Sequence, residues 1–307
     1  AALALPLYFR ADPTVSLSDA IRLMLLSAIW GASFLFMRIA VPEFGPFPLI
    51  LMRIGGAALV LLPFLLRPAN RRVLLAHKAP LFFLGVVNST IPFCLFGWAA
   101  LSLDAGFTSL LNASTPIFTA IIGCLWLRIP LLRSQILGLL IGFLGIAILT
   151  GDQFSFERGG MGWPIVAVLL ATCSYGVAGH YAKLRFAEVS PLVVSAGSLL
   201  FSTFLLLPLA ILYPPTAMPS GGAIAAGLTL AVLCTAFAFV LFFDVLSRTG
   251  ATAAATVTFV IPVFGILWGT LFLKEEVTPR MVLGIAVALL GTALVTKLLP
   301  LRSKRSG

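Results

Sequence analysis

Charge is what this chain has least of. Asp, Glu, Lys and Arg together make up 10% of its 307 residues, against roughly 25% in an ordinary soluble domain. A soluble fold of this length needs a charged exterior, and these residues cannot build one. The outer surface must therefore face lipid. Apolar runs such as Ile136–Leu149 and Val282–Val295 are too long and unbroken for a β-barrel, whose strands alternate polarity over ~10 residues. A helical membrane protein is the class that remains.

Further absences narrow the function. There is no G-x-x-x-x-G-K-[ST], which excludes ATP hydrolysis by a P-loop. There is no H-E-x-x-H and no His, Cys, Asp and Glu cluster at metal spacing, and the two histidines, His77 and His180, stand far apart. No metal or cofactor is expected. The four cysteines, Cys94, Cys124, Cys173 and Cys234, each fall inside an apolar run without C-x-x-C spacing and read as small apolar filler. The first 17 residues carry Arg10, Asp12 and two prolines, so no cleavable signal peptide is read there. No Asp or Glu lies at the middle of an apolar run: Asp104 and Asp244 are at run ends. A charge at mid-membrane costs roughly 2.5–3.5 kcal/mol on insertion scales. An obvious carboxylate proton relay is thus missing, which leaves facilitated diffusion or coupling through a subtler group. No nucleophile, acid/base or metal set converges, so the chain does not read as an enzyme.

A spanning helix needs roughly 20 apolar residues, and ten fit: 18–40, 46–66, 79–101, 104–127, 133–151, 160–183, 190–213, 221–246, 250–273 and 280–299. Proline, glycine and charge mark the breaks, as in Val41-Pro-Glu-Phe-Gly-Pro46 and Arg67-Pro-Ala-Asn-Arg-Arg72. With both termini placed in the cytoplasm, four basic residues fall outside (Arg38, Arg158, Lys274, Arg280). Arg53 lies within the second span, and the remaining fifteen of the twenty fall inside. That asymmetry is what the positive-inside rule requires. The net charge of +10 is therefore topological and does not call for nucleic acid.

The chain also repeats itself. Shifted by 146 positions, 115–150 aligns with 261–296, matching Pro116 to Pro262, Gly123 to Gly269, Gly138 to Gly284 and Gly145 to Gly291. A shift of 145 pairs Trp30 with Tyr175, Gly31 with Gly176 and Arg38 with Lys183. The expected fold is an all-α membrane protein of ten transmembrane helices in two five-helix repeats, 18–151 and 160–299, joined by an outer loop, 152–159. A cytoplasmic segment, 1–17, precedes them and a basic cytoplasmic tail, 300–307, follows. Five spans per half is an odd number, so the halves are inverted, as in secondary transporters with a substrate path at mid-membrane.

Trp30-Gly-Ala-Ser33, Arg53, Pro116, Pro262, Leu273-Lys-Glu-Glu276, Gly284 and Gly291 resemble the drug/metabolite transporter superfamily, EamA type, over essentially the whole chain. Within it the chain is most similar to the aromatic amino acid exporter branch. The resemblance implies export of amino acids or other small metabolites across a bacterial inner membrane. One place departs from the family pattern. Members often carry Glu after the fourth span, where this chain reads Leu127-Arg-Ile-Pro130; the acid survives in the second half as Glu275 or Glu276.

Polar residues gather at mid-span. Asn88, Thr90, Asn112, Thr115, Tyr175, His180, Tyr181, Thr235 and Thr258 are read as lining a cavity, unless they bond neighbouring helices. Trp30 and Tyr175 hold equivalent places and would sandwich an apolar side chain. Pro92, Pro116 and Pro262 free carbonyls one turn earlier and are candidate hinges. Arg53 either reaches the outer headgroups or a partner (Glu43 or Asp104), or lines the pathway or an outer gate. Trp98 and Trp163 belong to the interfacial belt or to the outer mouth. Gly138-x-x-x-Gly142 and the Gly284 helix are read as packing against each other or against a second copy. The leading function is an exporter of amino acids or similar small metabolites working by alternating access. Nucleobases, nucleotide sugars or drugs are the alternative cargo, and a channel or a membrane-embedded enzyme is disfavoured.

Overall fold

The structure, a computed structural model, describes residues 16–157 and 159–298. The expected terminal segments and Arg158 lie mostly or wholly outside them. Nine helices among the described residues are long and apolar enough to cross a membrane. They run Leu17–Phe44, Pro46–Leu65, Lys78–Ala99, Ala105–Leu127, Arg133–Thr150, Gly162–Arg185, Pro191–Leu212, Gly221–Gly250 and Ala253–Leu273. A shorter apolar helix, Pro279–Val295, follows. These match the ten expected segments in order, with the tenth shorter than foreseen, and are called spans one to ten below.

Local chemistry sets their ends. Ser16 caps the first span by accepting the Asp19 N–H at 3.2 Å. Pro42 stays inside that span; the chain turns only at Gly45, where φ is 73° and a side chain would be strained, and Pro46 opens the next helix. Arg67–Arg72 is not a plain loop. Pro68 starts a short helix, Pro68–Ala76, that buries no residue and lies between spans two and three. The fourth and ninth spans end alike, on Arg128 (φ 54°) and Lys274 (φ 57°), both left-handed and 146 positions apart.

The packing is reciprocal between halves. Span one packs on spans eight and nine; span six packs on spans three and four. Span two packs on seven, and five on ten. The repeat-related glycines occupy matching contacts. A Cβ on Gly31 would meet Phe264 and Gly265, while one on Gly176 would meet Phe118 and Thr119, the same two positions in the other half. Spans five and ten make the most intimate contact. A Cβ on Gly138 would lie 2.7 Å from the Gly291 carbonyl oxygen, and one on Gly284 2.9 Å from the Leu149 Cα. Small residues four apart let backbones approach this closely. The two glycine faces thus cover each other within one chain.

Two spans contain a π-helical turn, Val86–Thr90 in the third and Val232–Phe237 in the eighth. Their starts are again 146 positions apart. The third-span turn immediately precedes Pro92. The eighth-span turn has no proline to announce it. Such turns widen the helix by one residue and are frequent at functional sites.

Candidate functional site: a cavity on the repeat axis

A cavity of about 230 Å³ opens between the halves. Ten of its wall residues form five repeat-related pairs: Trp30 with Tyr175, Asn88 with Cys234, Phe93 with Phe239, Asn112 with Thr258 and Thr115 with Ile261. Ser33, Phe34, Met37, Arg53, Phe96 and Thr235 complete it. The pairs come from spans one and six, three and eight, and four and nine. Spans one and six run as unbroken α-helices, whereas the other four lose their regular ladder. The third and eighth make their π turns. The fourth breaks at Ala113–Ser114, before Pro116, and the eighth–ninth region bends at Gly250 (φ 79°) and turns again at Thr256. Pro262 itself sits inside the continuous helix Val257–Leu273. The π turns and the break at Ala113–Ser114 adjoin cavity-lining residues, as a bilayer demands of irregular backbone.

Arg53 lies seven residues into the second span from Pro46, about 10 Å along the axis. It is 5% exposed, so it does not snorkel. Glu43, one partner expected for it, instead accepts the Ser220 N–H at 2.6 Å and the Ser220 hydroxyl at 2.8 Å. Among the described residues, no ion pair links Arg53 to Asp104 or to any other carboxylate. Its Nε donates to Thr235 Oγ1 at 3.0 Å, an Nη1 lies 3.5 Å from the Met37 sulfur, and the guanidinium carbon stands 4.0 Å over the centre of the Phe93 ring. Thr235 in turn donates to the Leu230 carbonyl five residues back, at 2.8 Å, within the π turn. That turn thus aims the hydroxyl that orients the arginine. The repeat equivalent of Arg53 is Ser198, whose hydroxyl donates to Ser195 O.

Seven of the residues expected in a cavity line this one: Trp30, Asn88, Asn112, Thr115, Tyr175, Thr235 and Thr258. Trp30 and Tyr175 do not face each other as a closed sandwich. Trp30 leans on Phe242 (centroids 5.3 Å apart) and Tyr175 stacks on Phe96 at 6.1 Å. Three expected residues fall elsewhere. Thr90, two residues from Asn88 and so on another face of the helix, is buried with no hydrogen-bond partner for its hydroxyl among the described residues. Tyr181 packs on Phe83, centroids 4.5 Å apart, in a separate apolar cluster. His180 bonds the Thr119 carbonyl at 2.9 Å and lines a neighbouring cleft. Trp98 and Trp163 are exposed, and Trp163 packs on Phe156; neither lines the cavity.

The aromatic part of the wall was largely missed from sequence. Phe93 and Phe239 are related by 146 positions, but so are Phe118 and Phe264, which do not line the cavity. That relation narrows the phenylalanines to a few pairs without deciding which of them face the cavity.

The two ends of the bundle differ. At the Leu273–Pro279 end the chain is sealed between the cavity and a separate cleft of about 440 Å³, which shares none of the cavity's wall residues. Ala99, Leu103, Ala105 and Phe107 are at most 4% exposed there. Glu275 reaches from the second half to the first, accepting the N–H of Ala105 at 2.7 Å and of Gly106 at 2.9 Å. Burial raises its carboxyl above the ordinary Glu range; Asp104 adds to this, while the two N–H groups and Arg38 oppose it. Of the two acids singled out in sequence, Glu275 makes this contact and Glu276 is exposed. At the other end, clefts of about 410 and 350 Å³ meet the cavity. One shares Thr115 and Thr258 with it and extends to Gln135 and Lys297. The other shares Trp30, Asn88 and Phe239 and extends to Phe186 and Pro191. Ile129, the repeat equivalent of Glu275, lines the first cleft.

The model of the EamA-like transporter family matches twice, over residues 19–151 and 162–297. The chain belongs to the EamA-like transporter family. Its two matched segments are the two halves described above. This EamA-like chain is 24% identical to the uncharacterized transporter YoaV of Bacillus subtilis over 272 residues, 84% of this chain and 90% of that one. It is 24% identical over 288 residues to a protein of Streptantibioticus cattleyicolor named "Probable terminal-alkyne amino-acid exporter", covering 92% of this chain and 95% of the relative. A solved crystal structure superposes with a TM-score of 0.65 at 20% identity, over 92% of this chain and 98% of that chain. The family places the chain in the membrane as a multi-pass transporter.

Proposed function

We propose that this transporter exports amino acids or similar small metabolites across a bacterial inner membrane, as a secondary carrier working by alternating access between two inverted halves. The observation that carries this reading is the cavity itself. Repeat-related pairs wall it, one end is sealed and the other is joined to clefts, which is one of the two states a carrier must visit. The count of basic residues puts both termini and the cleft end in the cytoplasm and the Glu275 end outside. The occupant would enter from inside and meet the rings of Trp30 and Tyr175, the amides of Asn88 and Asn112, and the hydroxyls of Thr115, Thr235 and Thr258. Rocking of the halves, with flexing at the two π turns and at the breaks near Pro116 and Thr256, would then release Glu275 from Ala105 and Gly106 and open the outer end.

Support for amino acids in particular comes from the exporter named among the relatives and from the pairing of polar groups with aromatic rings. A cargo as large as a nucleotide sugar would need more room than about 230 Å³ and several cations for its phosphates. Reconstitution of the full chain into liposomes loaded with labelled amino acids tests the proposal. Efflux that saturates and shows counterflow is expected. Absence of flux for every amino acid, with and without a pH gradient, overturns it.

A further inference from the structure

We infer that the cavity selects its cargo by a carboxylate bound to Arg53 and takes no account of an amino group, so that small aromatic or aliphatic monocarboxylates without an amine are cargo on the same footing as amino acids. This rests on the transporter reading of the same cavity.

Arg53 carries an unbalanced charge. A guanidinium carries five N–H donors in a planar fork and stays protonated. That of Arg53 is 5% exposed, yet what surrounds it is a hydroxyl, a thioether and a ring face. Its two side-chain bonds engage only Nε and one Nη1 donor. No carboxylate lies within 4.0 Å of it among the described residues. Glu43 and Glu275, two acids at the sealed end, are engaged with Ser220 and with the Ala105 and Gly106 amides. A buried cation without a counter-ion is costly, and a carboxylate placed on its free fork completes it with two parallel N–H···O bonds.

The cavity has nothing comparable for an ammonium group. Its wall holds no Asp or Glu. An ammonium would find only the amide oxygens of Asn88 and Asn112 and ring faces, beside a fixed positive charge that repels it. The apolar remainder of the cargo meets Trp30, Phe93, Phe96, Tyr175 and Phe239. At about 230 Å³ the cavity lies below the ~300–1,000 Å³ of sites for drug-sized ligands, which limits the cargo to one ring or a short chain. The asymmetry of the repeat supports the same conclusion. Most of the wall is paired by the repeat, but the position equivalent to Arg53 is Ser198, which is not in the wall, so the single cation binds one anionic group and not a diacid.

The test uses the full chain in nanodiscs and four compounds that share one ring and differ in charge: 3-phenylpropionate, L-phenylalanine, L-phenylalaninamide and phenethylamine. Binding is read by quenching of tryptophan fluorescence. The two acids are expected to bind within about threefold of each other, and the amide and the amine at least about tenfold more weakly. Arg53→Gln, checked for monodisperse elution, is expected to lose about tenfold for the acids and to leave the amide unchanged. Thr235→Val, which removes only the orienting bond, is expected to lose a few-fold. If Arg53→Gln does not fold, the four-compound ranking on the unaltered chain and Thr235→Val still decide. Phenethylamine binding as tightly as phenylpropionate overturns the carboxylate inference and leaves the carrier reading standing. Binding by L-phenylalanine alone shows that the amine is read after all, and also overturns it. If none of the four binds and no amino acid crosses liposomes, both readings fail.

Discussion

The contact made by Glu275 is the most direct place to test how the sealed end is held. Lys274 turns left-handed at φ 57°, and this aims the next side chain across the boundary between halves at the first turn of the fourth span. The carboxylate accepts two N–H groups that a helix N-terminus otherwise leaves without partners. A hydrogen bond to a charged group contributes about 1.5–3 kcal/mol. Glu275→Ala removes two of them and leaves Ala105, 1% exposed, with an unsatisfied donor. Glu275 is only partly buried, so water replaces some of the loss, and the net cost is expected at about 2–4 kcal/mol. In domains of 150–250 residues each kcal/mol is roughly 2–4 °C of Tm, so the midpoint should fall by about 5–10 °C. Glu275→Gln keeps one acceptor oxygen and should lose about half as much. The assay is thermal unfolding in detergent followed by fluorescence-detected size exclusion. A Glu275→Ala midpoint within about 2 °C of the unaltered chain would refute the reasoning, because the two bonds would then hold nothing.

The remaining expectations are briefer. The Glu275 carboxyl is raised by burial in the sealed state, so that state binds the proton more readily than one in which Glu275 meets water. Stability of the sealed end is then fully present below the ordinary Glu range and declines as pH rises through the raised value; the Tm difference between pH 5 and pH 8 should shrink in Glu275→Gln. Gly145→Leu and Gly291→Leu force side chains into the tightest helix contact and should cost at least about 1–3 kcal/mol each, read as lost monodisperse protein, whereas Leu140→Ala on the exposed face should change little. His180→Ala breaks a bond between spans six and four outside the cavity and should leave cargo affinity within about twofold, while Asn112→Ala should weaken it by more; equal effects would mean that the cavity is misassigned.

The five-span halves were legible because the repeat is written in prolines and glycines, residues that a membrane helix does not carry casually. Most of the hydroxyl and amide positions of the cavity were legible too, since polar groups at mid-membrane are expensive and stand out. The errors have a common cause. Thr90, His180 and Tyr181 lie on the same helices and near the same depth as true wall residues, but which side of a helix faces inward depends on rotation. The π turns at Val86–Thr90 and Val232–Phe237 change that rotation in spans three and eight, whereas span six, which carries His180 and Tyr181, is a regular α-helix. The second of these π turns contains no proline and left no mark in the pattern.

By itself the sequence determined the membrane class, the order of the spans, the doubling of the chain and the scarcity of charge within it, because hydropathy and helix-breaking residues act locally. Only the tertiary structure decided that Arg53 turns into the cavity and not toward Glu43, that Phe93 and Phe239 face each other's half across the same space, and that Glu275 and not Glu276 joins the halves. Those outcomes depend on which surfaces meet. The arginine's surroundings are contributed by Met37, Phe93 and Thr235, from three other spans, and no local pattern specifies that meeting.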